Sequence, residues 1–271
     1  MVPLCDVHRA LGLDAADVGS SERIFVQGSY EYHHYGQGAR DAGWGCAYRS
    51  CQTIFSWYKL RDPQRVRLVP SIKDMQRQLV HIGDKPASFY ESTEWIGSVE
   101  ISLLLDSMHG ISCKILSAQN FDQDLPDQDL PDNVAAALVA HLRTVGSPMM
   151  VGGQGGGARA IIGAELGTSG KLERFLVLDP HYCGEDSLES LQRQSARVCV
   201  WVRPCDLCRQ YGKFTNFCLP LPLNASTHGG GRTSSQSPAE SVESSPGISK
   251  SAAASRDERQ DEWHFEVIES S

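Results

Sequence analysis

The sequence predicts an α+β domain, because helical and strand patterns occupy different parts of its folded region. Apolar residues recur at helical spacing from Ile72 to Ile82, and the stretch from Cys46 to Lys59 contains neither Gly nor Pro. Both patterns are typical of helices. From residue 148 onward, short apolar runs separated by turn residues are typical of strands. Helices that precede strands, rather than alternate with them, favour α+β over βαβ units.

In chain order, each predicted element has its own local signal. Pro70-Ser71 and Pro131-Asp132 are typical helix starts, and Gly110 closes the helix ahead of it. Gly167-Thr168-Ser169-Gly170 is a hairpin turn between two strands. The predicted helices cover 46–59, 72–82, 96–108 and 131–142, and the predicted strands lie within 20–30, 111–116, 148–151, 160–166, 175–178 and 198–202.

Composition and the predicted elements divide the chain into an N-terminal segment (1–20), a folded domain (21–222) and a tail (223–271). From Asn224 to Ser255 the chain is rich in Ser, Gly, Ala, Pro and Thr and has almost no large apolar side chain. Such a segment does not bury enough surface to offset the entropy of ordering it. We therefore predict a disordered tail.

Charge and hydropathy exclude several classes of function. The formal net charge is −8, from 25 basic and 33 acidic residues, so the basic footprint of a nucleic-acid-binding protein is absent. The longest apolar runs, such as Ile101 to Leu105, are too short to span a bilayer. The N-terminus has no basic segment followed by an apolar one, so we expect a cytoplasmic protein whose nine cysteines stay reduced.

One of the nine cysteines has the setting of a nucleophile. Cys46 follows Gly43-Trp44-Gly45 and stands at the start of a predicted helix. The two glycines allow a sharp turn and a close approach of substrate. A thiolate at a helix N-terminus is stabilised by free N–H groups and by the helix dipole. The alternative interpretation of this residue on its own is a buried cysteine in a tight turn.

A base for this thiol is available at the end of a predicted strand. Asp179-Pro180-His181 follows an apolar run, and residues two apart on an extended segment project the same way. His181 is suited to accept the proton of Cys46, with Asp179 orienting the imidazole. The alternative interpretation is a turn with a surface histidine.

Metal and phosphate chemistry have weaker support. Cys205 and Cys208 form a single C-x-x-C pair, with Cys199 and Cys218 as the nearby candidates to complete a zinc site. The glycine-rich stretch 152–157 is not followed by Lys-Ser/Thr, so it does not match a phosphate-binding loop. We interpret it as a strand-to-strand loop beside the active site, and we expect neither a metal nor a cofactor.

Taken together, these segments resemble the ubiquitin-fold modifier 1-specific cysteine proteases. No single segment is decisive, but their order is highly specific. The match runs from about Tyr30 to Leu219 and rests on Tyr32-His33-His34-Tyr35, Gly43 to Ser50 with Gln52-Thr53, Gly83-Asp84-Lys85-Pro86, Trp95-Ile96-Gly97-Ser98, Met149 to Gly153, Leu178 to Tyr182 and Asn216 to Pro220.

The resemblance implies a papain-like fold, in which a helical part carrying the nucleophile packs on an antiparallel sheet carrying the acid and the base. It implies that Cys46 is the nucleophile, Asp179 the orienting acid and His181 the base, with the hydroxyl of Tyr35 in the oxyanion hole. Members of the family expose the terminal glycine of ubiquitin-fold modifier 1 and remove the modifier from lysines of its conjugates. The substrate-binding candidates are Trp44, Gly45, Trp95 and Gly153.

The chain departs from the family pattern in two places. The spacing from Tyr35 to Cys46 is one residue shorter than in relatives, which makes Tyr32 the second candidate for the oxyanion hole. Arg159 stands where relatives often have histidine, and we expect it to affect substrate access or rate. With about twenty residues before its first predicted strand, the chain resembles the short form of the family, protease 1.

Two other functions fit parts of the same pattern. The autophagy-related cysteine proteases share Gly-Trp-Gly-Cys and Asp-Pro-His, and a catalytically inactive relative would bind the modifier without cutting it. The tail contains Phe265 and Ile268 behind acidic residues. This resembles a short motif that binds ubiquitin-like proteins by strand addition.

Overall fold

A computed structural model describes residues 3–15, 22–119, 130–153, 157–211 and 214–223. The chain divides into a unit of residues 1–224 and a unit of residues 225–271, and all described residues belong to the first. The predicted disorder of the tail and the motif with Phe265 and Ile268 lie outside the described residues.

The helices of the described chain match the predicted ones and add three that were not predicted. The predicted helices are α2, α3, α4 and α5, whereas α1, α6 and α7 were not expected. The helices are α1 (Val7–Ala10), α2 (Cys46–Arg61), α3 (Ile72–His81), α4 (Ser98–His109), α5 (Asp132–Thr144), α6 (Leu188–Arg193) and α7 (Pro204–Tyr211), with 3-10 turns at Ala87–Phe89 and Ser195–Arg197.

The strands form one antiparallel sheet, with the order β2-β7-β3-β4-β5-β6 and with β1 paired to β4. Strand β3 pairs with the first residues of β4, and β1 pairs with the later residues of β4. The α+β prediction is confirmed. The strands are β1 (Glu22–Phe25), β2 (Cys113–Gln119), β3 (Met149–Gly153), β4 (Arg159–Leu166), β5 (Leu172–Leu178), β6 (Cys199–Val202) and β7 (Phe214–Pro220).

Helix α2 is the centre of the core. Every residue from Cys46 to Tyr58 is buried, and α2 packs against β3 and β4. A helix that is buried all round is a core helix rather than a surface one. Every residue of β4 is buried as well. Because α2 begins at Cys46, its N-terminus is held in a fixed place against the sheet.

The segment 204–220 is where the sequence interpretation was least complete. Cys205 and Cys208 lie one turn apart on α7, and both are buried. They serve as small core residues, and within the described ranges no cluster of three or more His, Cys, Asp or Glu side chains is arranged to hold a metal. None of the described helices has the length and apolar character needed to cross a membrane.

Candidate active site

The turn before α2 places the thiol of Cys46 at the first residue of the helix. Gly43 has a φ of 88°, which a residue with a side chain rarely adopts. A Cβ on Gly45 would lie 2.6 Å from the Cβ of Asp41, so only glycine fits there. These two glycines therefore set the geometry of the turn.

A buried ion pair stabilises this turn. Arg49 Nε lies 2.6 Å from Asp41 Oδ2, and Asp41 Oδ1 accepts a hydrogen bond from the N–H of Gly36 at 3.1 Å. The N–H of Gly45 donates to the Asp41 carbonyl at 2.8 Å. The local sequence pattern did not reveal the role of Asp41, which stands five residues before the nucleophile candidate.

Strand β5 ends at Leu178 and positions the acid and the base. The backbone N–H of Asp179 donates to the Val198 carbonyl at 2.8 Å, and the backbone N–H of His181 donates to Asp179 Oδ1 at 2.9 Å. The same carboxylate oxygen lies 2.5 Å from His181 Nδ1. Because Nδ1 faces a carboxylate, it carries the hydrogen, and Nε2 is turned toward the thiol.

The structure brings the thiol and the imidazole together, although they are far apart in sequence. The point that a Cβ on Gly157 would occupy lies 2.2 Å from His181 Nε2 and 3.3 Å from Cys46 Sγ. The two side chains are close enough to shift each other's pKa, and the N–H of Ala158 donates to the sulfur at 3.3 Å. The glycine-rich stretch therefore ends against the site, as predicted. Its residues 154–156 lie outside the described chain.

The site favours a thiolate paired with an imidazolium. Burial alone would raise the pKa of the Cys46 thiol, but the hydrogen bond and charge of His181, with the Ala158 N–H, lower it below its ordinary value. Burial likewise disfavours the charged imidazole, but Asp179 and Cys46 raise the pKa of His181 to about 9. Between these two pKa values the pair is a nucleophilic thiolate beside a proton donor.

Of the two oxyanion candidates, Tyr35 is the one that faces the thiol. Its ring lies 5.2 Å from the ring of His181, edge to face, and its phenol is close enough to Cys46 for the two groups to shift each other's pKa. Burial and the neighbouring Cys46 raise the pKa of Tyr35 above its usual range, so the phenol keeps its hydrogen and can donate it. The hydroxyl of Tyr32 instead donates to the Asp179 carbonyl at 2.6 Å.

Arg159 contacts the acid from the side opposite to His181. Its Nε lies 2.8 Å from Asp179 Oδ2, and its Nη1 donates to the Tyr211 hydroxyl at 3.2 Å. Burial favours the neutral carboxyl, but the charge of Arg159 and the hydrogen bonds of His181 hold the pKa of Asp179 well below its usual range. An effect of Arg159 on substrate access or rate was expected from the sequence, but its partnership with Asp179 was not.

A cleft of about 330 Å³ opens beside the thiol. Three of the four substrate-binding candidates, Trp44, Trp95 and Gly153, line it. The fourth candidate, Gly45, is not among the described residues that line the cleft, and it packs against Asp41 instead. The lining is Trp44, Cys46, Ala47, Trp95, Ile96, Gly97, Ser98, Met150, Gly152, Gly153, Gly157, Ala158, Phe214 and Asn216.

The family model of peptidase family C78 matches residues 21–218. The chain belongs to this family. The chain is 40% identical to a probable Ufm1-specific protease from Oryza sativa subsp. japonica, over 82% of this chain and 33% of that protein. It is 38% identical to Ufm1-specific protease 2 from Rattus norvegicus, over 79% of this chain and 44% of that protein.

A solved structure shares the fold of this family C78 chain. UfSP from C. elegans superposes with a TM-score of 0.63 at 32% sequence identity, over 81% of this chain and 37% of that chain. The papain-like fold that the resemblance implied is confirmed. The chain spans less than half the length of each of these relatives.

Proposed function

We propose that this chain is a thiol peptidase that acts on ubiquitin-fold modifier 1. It matures the precursor of the modifier by exposing the C-terminal glycine, and it removes the modifier from lysines of its conjugates. One observation carries the proposal. A buried thiol at a helix N-terminus lies next to an imidazole that is hydrogen-bonded to a carboxylate, and all three groups stand beside a cleft.

The reaction begins with attack of the Cys46 thiolate on the carbonyl carbon of the glycine, which forms a C–S bond. The C–N bond then breaks as His181 gives the proton on Nε2 to the leaving amine, and a thioester remains. Water attacks the thioester and transfers a proton to His181, and the thiolate leaves. Asp179 accepts the hydrogen bond from Nδ1 throughout and keeps the imidazole in one orientation.

The developing oxyanion needs a donor that is fixed before the reaction starts. The hydroxyl of Tyr35 is next to the sulfur and buried, so it meets that requirement. Removal of one such donor typically lowers kcat about 10²- to 10³-fold. Tyr32 does not serve this role in our scheme, because its hydroxyl is engaged by the Asp179 carbonyl.

Cleft shape supports a glycine at the cleavage site. Small residues, among them Gly152, Gly153 and Gly157, form part of the lining. Trp44 also lines the cleft, and its Nε1 donates to the Arg40 carbonyl at 3.1 Å. We infer that a substrate residue without a side chain is accommodated between these small residues and the indole, next to the thiol.

The proposal is tested by covalent labelling of the full chain. Ubiquitin-fold modifier 1 carrying a C-terminal electrophile is expected to label Cys46, whereas an autophagy-type modifier with the same electrophile is not. Cys46→Ser is expected to abolish labelling, and Cys183→Ser, which removes an exposed thiol, is the matched control. Labelling of the autophagy-type modifier alone would favour the autophagy-related protease function. Labelling without turnover of the precursor would favour a binding protein.

We also propose a cytoplasmic location and a binding role for the tail. All nine cysteines are unpaired, which is typical of a reducing compartment. Deletion of residues 261–271 is expected to weaken binding to a ubiquitin-like protein, as measured by pull-down with the purified full chain. Unchanged binding would remove the tail proposal and leave the peptidase proposal intact.

A further inference from the structure

A second histidine–aspartate pair lies beside the first and takes no part in the reaction described above. Nε2 of His34 lies 2.5 Å from Asp186 Oδ1. Nδ1 of the same ring lies 2.9 Å from the Tyr35 carbonyl and 3.0 Å from the Tyr182 carbonyl. The His34 side chain is only 1% exposed. A buried histidine with contacts on both nitrogens is fixed in one orientation.

Gln37 extends this pair into a network. Its Nε2 donates to both oxygens of Asp186 at 2.9 Å, and its Oε1 accepts from the N–H of His34 at 3.1 Å. The ring of His34 also packs edge to face on Tyr182, with 4.9 Å between ring centroids. Residues 32–37, which we call the tyrosine segment, are thereby tied to residues 180–186, which we call the base segment.

Within the tyrosine segment, which is also anchored through Tyr32 and Gly36, Tyr35 itself contacts this network directly, whereas Asp179 does not. The backbone of Tyr35 makes two hydrogen bonds, from its N–H to the Pro180 carbonyl at 2.9 Å and from His34 Nδ1 to its own carbonyl. The acid beside His181 has further anchors, including the Val198 carbonyl and the Arg159 guanidinium. Loss of the network would therefore move the Tyr35 hydroxyl before it moved the imidazole.

We propose that His34 and Asp186 are positioning residues, which hold the Tyr35 hydroxyl over the reacting carbonyl by joining the tyrosine segment to the base segment. The inference rests on the proposed function. It extends that function by adding a second His–Asp pair, which positions the oxyanion donor and does not transfer a proton. A misplacement of about 1 Å in such a site can cost up to about 100-fold in rate.

Steady-state cleavage of the modifier precursor by the full chain tests the proposal. Asp186→Ala is expected to lower kcat about ten- to hundredfold with KM unchanged. Tyr35→Phe is expected to lower it at least as much, and the double variant is expected to match Tyr35→Phe alone, because a hydroxyl that is absent cannot be misplaced. Glu185→Ala removes the exposed carboxylate next in the chain and is the matched control.

The outcomes separate this inference from the proposed function. If the unaltered chain does not cleave the precursor, the proposed function fails. If it cleaves, but Asp186→Ala lowers kcat by the same factor in the Tyr35→Phe variant as in the unaltered chain, the pair is only structural and the inference is overturned. Should Asp186→Ala fail to fold by circular dichroism, Asp186→Asn supplies the same cycle. It retains one oxygen for His34, so we expect a smaller loss of kcat. In the Tyr35→Phe variant the same change is expected to cause no further loss of kcat.

Discussion

Replacement of Arg159 by methionine is expected to destabilise the folded chain by about 3 kcal/mol at pH 7. The change removes the guanidinium beside Asp179, which is buried and 8% exposed, and leaves His181 as its remaining cationic partner. Removal of one partner of a buried ion pair typically costs about 3–5 kcal/mol. We expect the lower end of that range, because Asp179 keeps two hydrogen bonds from His181. The thermal midpoint would fall by about 6–12 °C.

The stability difference between the parent chain and Arg159→Met should depend on pH, in a direction that the pKa of Asp179 determines. The pKa of Asp179 is held well below its usual range in the folded chain, compared with about 3.9 in an unfolded chain. A depressed folded-state pKa adds stability above the unfolded pKa, and that stability is lost as the pH falls. The difference between the parent chain and Arg159→Met should therefore be complete at pH 7 and shrink below about pH 4.

Urea unfolding followed by circular dichroism measures the effect, with Arg193→Met as the matched control. Arg193 pairs with Glu189 on the surface, where both side chains are more than half exposed, so its loss should cost at most about 1 kcal/mol. Adding Asp179→Asn to Arg159→Met should recover about 1 kcal/mol or more, because a neutral amide replaces a buried carboxylate that has lost its guanidinium. If Arg159→Met matches the control, or if the double variant recovers nothing, the ion pair is not what stabilises this region.

Three further changes address the reaction itself, and a fourth addresses the space beside the thiol. Tyr35→Phe should lower kcat about 10²- to 10³-fold, and a loss below threefold in precursor cleavage would exclude its hydroxyl from the oxyanion hole. Cleavage should decline above about pH 9, since His181, with a pKa of about 9, no longer protonates the leaving amine; a flat profile to pH 10 would refute this. Alkylation of Cys46 by iodoacetamide should have its midpoint below the ordinary cysteine value, and His181→Gln should raise it toward about 8.5. Gly157→Ala should abolish cleavage while the chain stays folded, because the added Cβ would meet His181 Nε2.

Local sequence patterns indicated the proposed reacting groups but not the groups that hold them. Cys46 was recognisable from the glycines before it, and His181 from the Asp-Pro that precedes it, because those signals lie within a few residues. Arg159 meets Asp179 only because β4 pairs with β5, with Ala160 opposite Leu178. His34 meets Asp186 although the two are far apart in sequence. Contacts of this kind depend on strand register and burial, which no short window of sequence contains.

Most strands of the sheet were predicted from the sequence, but β7 was not. Strands β3, β4, β5 and β6 have apolar cores and clear turns at their ends. Strand β7 contains Thr215 and Asn216 and follows a helix that was not predicted. Its strand conformation is imposed by β2 and β3, which hydrogen-bond to it on both sides. Tertiary pairing of this kind overrides weak local propensity.

The interior position of β7 sets the order of events during synthesis. A nascent chain presents the reactive thiol early and the imidazole much later, yet β2 and β3 have no shared partner until residues 214–220 leave the ribosome. Phe214 and Asn216 also form part of the cleft wall. The thiol therefore gains a finished cleft only when translation of the domain is nearly complete, and a chain that stops before residue 214 carries every reacting group without a complete place to bind substrate.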